Sequence, residues 1–256
     1  MEPNVTRFDG RVADYDRYRE RYDAKVVLPL LRAWCNLTPQ WRVADVGAGT
    51  GMLADVLLAN ENQVIAIEPN QEMRAMCAHL HADAPLLEIR EGTGEDTGLP
   101  DASVDAVFVG RALHWFDLDR SMEEFRRVLR PGGWVIVVAL GRTEKGREEN
   151  GAFEQVLRST SPGHKDTHAA YTVYGRLPGF FDGGEFHHKV ILGEKLFDWE
   201  SLLGMTLSLS HSPRVTAPEF PQFERTLRGF FDHYSHGGLV ALETRYWINA
   251  GRFPGR

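Results

Sequence analysis

Val43-Ala44-Asp45-Val46-Gly47-Ala48-Gly49-Thr50-Gly51 is the stretch from which the rest of the chain can be worked out. An apolar run ending in alternate glycines is a strand that turns sharply into a helix, because glycine alone accepts the backbone angles of such a turn without strain. With no side chains at the turn, bare N–H groups and a helix N-terminus can close on a ligand. A nucleotide or nucleotide-like cofactor is the first expectation.

Working outward, the segments 42–46, 63–67, 86–90, 104–109 and 134–139 are short and β-branched. Helical spacing lies between them at 51–59 (Leu53, Val56, Leu57), after the cap residue Asn70 (Met73, Met76, Cys77, Leu80), and at 121–129. The last of these stops at Arg130-Pro131-Gly132-Gly133, where a helix cannot continue. Strands alternating with helices imply βαβ crossovers, a parallel sheet and helices on both faces. Ligands then bind outside the carboxyl ends of the strands, near the point where strand order reverses. The segments at 47–51, 68, 94–95 and 110–114 all follow strand ends, so they converge on one edge.

The flanks are less regular. Residues 7–34 form a helical preface in which Phe8, Val12, Tyr15, Tyr18, Tyr22, Val26, Val27 and Leu30 recur among Arg11, Arg17, Arg19 and Arg21. Most of these residues suit a packing stripe beside a solvated face, while a tyrosine and an arginine, from Tyr15, Tyr18 and Arg19, are kept as members of a lid over the cofactor pocket. Beyond residue 141 a charged stretch leads to a helix at 152–159 and a loop rich in Gly, Pro and His. Alternation at 186–192 and 239–250 predicts two strands that add to the sheet edge, with helices at 199–210 and 220–234 between them. The predicted fold is α/β: a Rossmann-like, doubly wound, mostly parallel seven-stranded sheet in one domain. Its parts are an N-terminal helical lid (1–34), a cofactor-binding core (35–141), a partly helical substrate cap (142–236) and a returning C-terminal strand (237–256).

The chain has 256 residues, 43% of them hydrophobic, which is enough for one large core. A net charge of −7 argues against a protein built to grip phosphate backbones. Cys35 and Cys77 are the two cysteines, so neither a disulfide framework nor a cysteine-rich metal site is expected. No run approaches the roughly 18 apolar residues of a membrane span, and the first residues are polar, so a cytoplasmic protein is expected. His187 and His188 are neighbours on a strand and point to opposite faces, and His164, His168, His233 and His236 lie in polar loops or near a helix end. No metal site is expected.

The glycines narrow the cofactor. A dinucleotide fingerprint places its third glycine where this chain has Met52. Asp45, two residues before the first glycine, would repel a pyrophosphate but suits a ligand with an ammonium and a sulfonium, which favours S-adenosylmethionine over NAD. No Lys-Ser or Lys-Thr pair follows the glycines, so a Walker-type phosphate loop is excluded. Glu68, ending the second strand, is placed to accept hydrogen bonds from ribose hydroxyls. Gly94-Glu95 could offer a backbone N–H and a carboxylate to an adenine edge.

Asp45 to Gly51, Glu68-Pro69-Asn70, Gly92-Thr93-Gly94-Glu95 with Leu99-Pro100, His114-Trp115-Phe116 and Leu129-Arg130-Pro131-Gly132-Gly133 together resemble the successive motifs of class I S-adenosylmethionine-dependent methyltransferases. The chain is most similar to the small-molecule group of the methyltransferase type 11 kind, which includes the trans-aconitate methyltransferases. The resemblance covers about residues 40–140, with looser likeness around 15–22 and 208–210. It implies that Gly47, Ala48, Gly49 and Gly51 meet the methionine part and Asp45 its polar end. Glu68 and Pro69 would hold the ribose, Met73 would flank the adenine, Gly94 and Glu95 would read its edge, and the Gly110 carbonyl would meet the amino group. Family members often carry Arg-Pro-x-Tyr-Pro in the lid, where this chain has Arg19-Glu20-Arg21-Tyr22-Asp23; that departure weakens the assignment of Arg19.

Methyl transfer from a sulfonium is an in-line displacement, to which a protein contributes alignment and exclusion of water. Where the acceptor must lose a proton, His114 is the candidate base, with pocket wall as the alternative. Trp115, Trp199, Phe180, Phe181, Tyr171 and Tyr174 could line an apolar acceptor pocket, Tyr15 and Tyr18 could close it, and Arg111 could pair with an acidic acceptor or salt-bridge to a neighbouring helix. Gly110-Arg111-Ala112-Leu113 stands where base N-methylating enzymes carry Asn/Asp-Pro-Pro-aromatic, which again argues against nucleic acid. The expected activity is methylation of a small organic acceptor at O, N or C, in secondary metabolism, by a monomer or homodimer, with S-adenosylhomocysteine as product. The alternatives are a tRNA or protein methyltransferase, or a repurposed cofactor-binding fold.

Overall fold

The computed structural model describes residues 12–142, 146–161 and 171–255. Among them, seven strands form one sheet: β1 (Arg42–Val46), β2 (Gln63–Ile67), β3 (Leu87–Arg90), β4 (Val104–Gly110), β5 (Leu129–Arg142), β6 (Glu185–Phe197) and β7 (Val240–Arg252). Their spatial order is β3-β2-β1-β4-β5-β7-β6. The first five run parallel, and β7 enters antiparallel between β5 and β6. Strand order therefore reverses between β1 and β4, and the crevice beyond their carboxyl ends is where a ligand site belongs.

Because successive strand residues face opposite sides, the apolar runs of the central strands feed two cores. On one face Val43, Phe108, Ile136 and Val138 pack against α2 (Ala24–Cys35) and α3 (Met52–Leu58). On the other, Val46, Val107, Val109, Val135 and Val137 pack under Leu118, Met122, Phe125 and Val128 of α5 (Leu118–Val128). A third cluster lies in the cap, where α6 (Glu148–Thr160), α7 (Trp199–Leu207) and α8 (Phe220–Tyr234) enclose Phe153, Met205, Phe223 and Phe231. Two helices begin at side-chain caps next to the crevice. Asn70 accepts from the Met73 amide at the start of α4 (Gln71–Leu80), and Asp117 accepts from the Arg120 amide at the start of α5.

The boundaries depart from the sequence reading at identifiable points. The preface is two helices, α1 (Val12–Tyr18) and α2, because Asp23 caps the second by accepting from the Lys25 amide at 2.8 Å; Phe8 and Arg11 lie outside the described residues. Strand β5 starts directly at Leu129, and Pro131-Gly132-Gly133 forms an irregularity in it. Pairing jumps from Val104 with Leu129 to Ala106 with Trp134. β6 runs five residues beyond the expected end at 192, since Gly193 and Glu194 interrupt the apolar alternation but not the ladder to β7. No helix among the described residues is long and apolar enough to cross a membrane.

Candidate active site

The glycine loop crosses the end of β2, where the amides of Gly47 and Ala48 both donate to the Ile67 carbonyl at 2.8 and 3.1 Å. All three glycines have positive φ, but they do different work. A Cβ on Gly47 would lie 2.5 Å from the Ala112 Cβ, so the loop packs tightly on the turn after β4. Nothing would meet a Cβ on Gly49 within 4 Å, because that residue borders open space. A Cβ on Gly51 would strike His81 at 2.6 Å and Cys77 at 3.0 Å, which makes Gly51 a seat for α4 rather than part of a ligand wall.

That open space is a cavity of about 210 Å3. Its floor is Gly47, Gly49, Glu68, Pro69 and Met73; the loop after β3 adds Thr93, Gly94 and Glu95; the segment after β4 adds Gly110, Arg111, His114 and Trp115. The lid contributes Tyr15 and Arg19. Leu209, Ser210 and His211, from the segment after α7, complete it. His211 was missed by sequence reasoning, since it sits in an aperiodic Ser-His-Ser-Pro stretch that carries no signal.

The structure separates some residues that the sequence grouped. Asp45 is wholly buried behind the loop, and Ala48 and Gly51 also lie off the cavity wall. Tyr18 is a contact between lid and cap: its hydroxyl donates to Glu200 at 3.1 Å and its ring covers Gly204, where a Cβ would lie 2.5 Å away. Trp199 packs edge-on against Phe231 in the cap core, and Phe181 stacks on Phe186 beneath the sheet, so neither lines the cavity. The Tyr171 side chain, His164 and His168 lie outside the described residues.

Arg111 reaches the wall, but its guanidinium is engaged with the lid. It donates to the Glu20 carbonyl at 2.8 Å, lies 3.7 Å from the Glu20 carboxylate and stacks 4.9 Å from the centre of the Tyr22 ring. Burial raises the Glu20 carboxyl, yet Arg142, Arg19 and Arg111 around it bring it below the usual range. Of the two roles open to Arg111, these contacts describe a salt bridge, made to Glu20 in the loop between α1 and α2.

Two acids set the electrostatics of the loop. Glu68 accepts from the amides of Gly49 and Asn70, each at 2.9 Å, and burial still pushes its carboxyl up. Asp45 is raised to about 7 by burial first and by the nearby Glu68 second, against a smaller opposing hydrogen bond from the Ala54 amide. A carboxyl buried behind the glycine loop fits a ligand that brings positive charge to this end of the cavity. Among the described residues no group of three or more His, Cys, Asp or Glu could hold a metal ion.

Residues 44–137, from β1 into β5, match the family model of the methyltransferase domain. Over that stretch the chain is similar to class I S-adenosylmethionine-dependent methyltransferases. An uncharacterized methyltransferase of Mycobacterium tuberculosis is 39% identical over 138 residues, which are 54% of each chain. The malonyl-[acyl-carrier protein] O-methyltransferase of Methylococcus capsulatus is 35% identical over 106 residues, 40% of this chain and 38% of that one. This chain thus spans about half the length, or less, of the curated relatives it matches. A candidate type II methyltransferase from Anaeromyxobacter dehalogenans superposes with a TM-score of 0.62 at 26% identity, covering 93% of this chain and 99% of that chain. S-adenosylmethionine is the cofactor of the domain.

Proposed function

We propose that this protein transfers a methyl group from S-adenosylmethionine to a small organic acceptor of secondary metabolism, at an oxygen, nitrogen or carbon centre, in the cytoplasm. The observation that carries the reading is the roof of the cavity. Tyr15 and Arg19 of the lid and Leu209 to His211 of the cap close over the edge formed by Gly49, Glu68 and Gly94, leaving about 210 Å3. A site that lid and cap close over in this way, with the cofactor's own residues lining it, suits a small acceptor better than a helix or a nucleic-acid backbone.

The cofactor, when bound, supplies an electrophilic methyl on a sulfonium. Gly47 and Gly49 give it backbone access, Glu68 and Pro69 hold its ribose, Met73, Gly94 and Glu95 flank and read its adenine, and Asp45 lends negative charge from behind the loop. His114 takes the acceptor's proton where one must leave, and Trp115 forms apolar wall beside it. Lid and cap exclude water, which keeps the acceptor aligned and unsolvated.

Titration calorimetry with S-adenosylhomocysteine tests the cofactor assignment, and absence of heat at several hundred micromolar ligand would end it. A radiolabelled methyl donor incubated with cell extract, then fractionated by size, tests the acceptor class. Label in the small-molecule fraction is expected; label confined to protein or RNA would favour a macromolecular acceptor.

A further inference from the structure

We propose that the outer edge of β6 is a homodimer interface, through which two copies pair antiparallel about a twofold axis at Ile191. β6 stands at the end of the sheet and is hydrogen-bonded to β7 alone among the sheet strands. Its thirteen residues pair with β7 without interruption and include no proline, so the outer edge offers an unbroken row of backbone donors and acceptors about 40 Å long. Edges left solvated are usually blunted by prolines, bulges, shortness or charges. This edge has none of the first three, and its charges are Glu185, Lys189, Glu194 and Lys195.

One face of the same ribbon carries exposed apolar side chains. Val190, Leu192 and Leu196 alternate onto it with 41%, 61% and 54% of their surface exposed, interrupted by Glu194 and its β7 partner Glu243. Leu239, 40% exposed, immediately precedes β7, so four of the seven large exposed apolar side chains among the described residues lie on or beside this strand pair. Trp247 and Ala241, the β7 partners of Val190 and Leu196, share that face. Scattered apolar residues need no explanation, but their gathering along one unpaired edge calls for a partner.

The sequence of β6 identifies the partner as a second copy, because the strand is complementary to itself in one register. With Ile191 on the axis, Val190 meets the partner subunit's Leu192, Phe186 meets the partner subunit's Leu196, and His188 meets the partner subunit's Glu194. Each of these contacts occurs twice, as a twofold interface requires. His188 meets Asn249 through Nδ1 at 2.8 Å, and Glu194 also pairs with Arg147 of its own subunit. Lys189 falls opposite the partner subunit's Gly193, so its charge meets no like charge. Sliding the pair by two residues in one direction sets Lys189 against Lys195 and Val190 against Glu194. Sliding it in the other sets Phe186 against Glu194 and Leu192 against His188. The axis at Ile191 is thus the register that matches apolar with apolar and acid with histidine on the face of Val190 and Leu192; on the other face it sets His187 against the partner subunit's Lys195 and Glu185 against the partner subunit's Phe197.

Light scattering on the eluting peak of the purified protein, loaded at about 100 µM to exceed the dissociation constant of a small interface, should give twice the chain mass. Leu192→Glu and Leu196→Glu, both at exposed positions, should give the single mass with an unchanged circular dichroism spectrum. The register is read separately with Val190→Cys/Leu192→Cys, which should form an intermolecular disulfide under mild oxidation, since directly opposed strand residues lie within disulfide reach. A single mass for the unmodified protein overturns the proposal, and so does a dimer that persists in both glutamate variants. A dimer in which the paired cysteines fail to cross-link overturns the Ile191 axis.

Discussion

Glu68 accepts a hydrogen bond from the Gly49 amide at 2.9 Å while its other oxygen accepts from Asn70, so one buried carboxylate ties the glycine loop to the start of α4. Hydrogen bonds to an ionised acceptor are worth about 1.5–3 kcal/mol each. Glu68→Gln keeps the shape and removes the charge. Affinity for S-adenosylhomocysteine should fall by about 10–100-fold in calorimetry, at roughly 1.4 kcal/mol per decade. Unchanged affinity would mean that neither loop nor ribose relies on the carboxylate.

Gly49 has a φ of +58° and faces the cavity with nothing near its missing Cβ. Gly49→Val would put a branched side chain into that space and strain the backbone by about 1–2 kcal/mol. The fold should survive, as judged by circular dichroism, while S-adenosylhomocysteine binding disappears. Binding at the original affinity would show that the ligand does not approach this part of the loop.

Asp45 gives a pH signature. Burial and Glu68 raise its carboxyl to about 7, against an ordinary value near 3.8. Between those two values the folded chain holds a proton that the unfolded chain has lost, so stability without ligand falls as pH rises across the window. A cationic ligand group draws the acid back to its charged form, and binding then releases a proton. S-adenosylhomocysteine should therefore bind several-fold tighter at pH 8 than at pH 6. Calorimetry in buffers of different ionisation heat should record proton release at pH 6. Asp45→Asn should flatten both effects; a pH dependence that survives in that variant points elsewhere.

His114 stands on the short turn after β4 beside Trp115, their rings 4.4 Å apart, at the cavity wall. A positioned general base contributes about 10²–10⁴-fold. With a hydroxyl or amine acceptor, His114→Ala should lower kcat by at least about 100-fold and leave S-adenosylhomocysteine affinity within about twofold. If the variant recovers full kcat at high pH without a shift in KM, the ring serves as a base that hydroxide can replace. If kcat never falls, the ring is pocket wall.

How much of this was legible depended on whether a residue's work was local. Gly49 and Asn70 were legible because a positive-φ turn and a helix cap are properties of a few consecutive residues. Glu68 was legible because strand ends in a parallel sheet share one edge. Gly51 and Tyr18 were misplaced, since their neighbours His81, Glu200 and Gly204 come from distant segments and only packing brings them together. The same holds for Arg111, whose partner Glu20 lies 91 residues away. His211 left no trace, because a loop residue without periodicity acquires its meaning from the cavity it borders.

His81 closes α4 with its Nε2 2.8 Å from Asp55 of α3, and Arg21 reaches the same carboxylate from the lid at 3.0 Å. The bond to Asp55 chiefly raises the His81 imidazole to about 10. A raised histidine contributes stability that is complete below its ordinary value near 6.5 and is lost as pH climbs through about 10. Asp55 is 44% exposed, so solvent screening limits the pair to about 1 kcal/mol. Asp55→Asn should lower Tm by about 2–4 °C at pH 7. The gap from the unmodified protein should narrow at pH 10.5, where His81 is neutral on both sides of the comparison. Thermal melts at the two pH values check this, and a gap of constant size would assign the loss to the Arg21 pair or to shape rather than to the His81 charge.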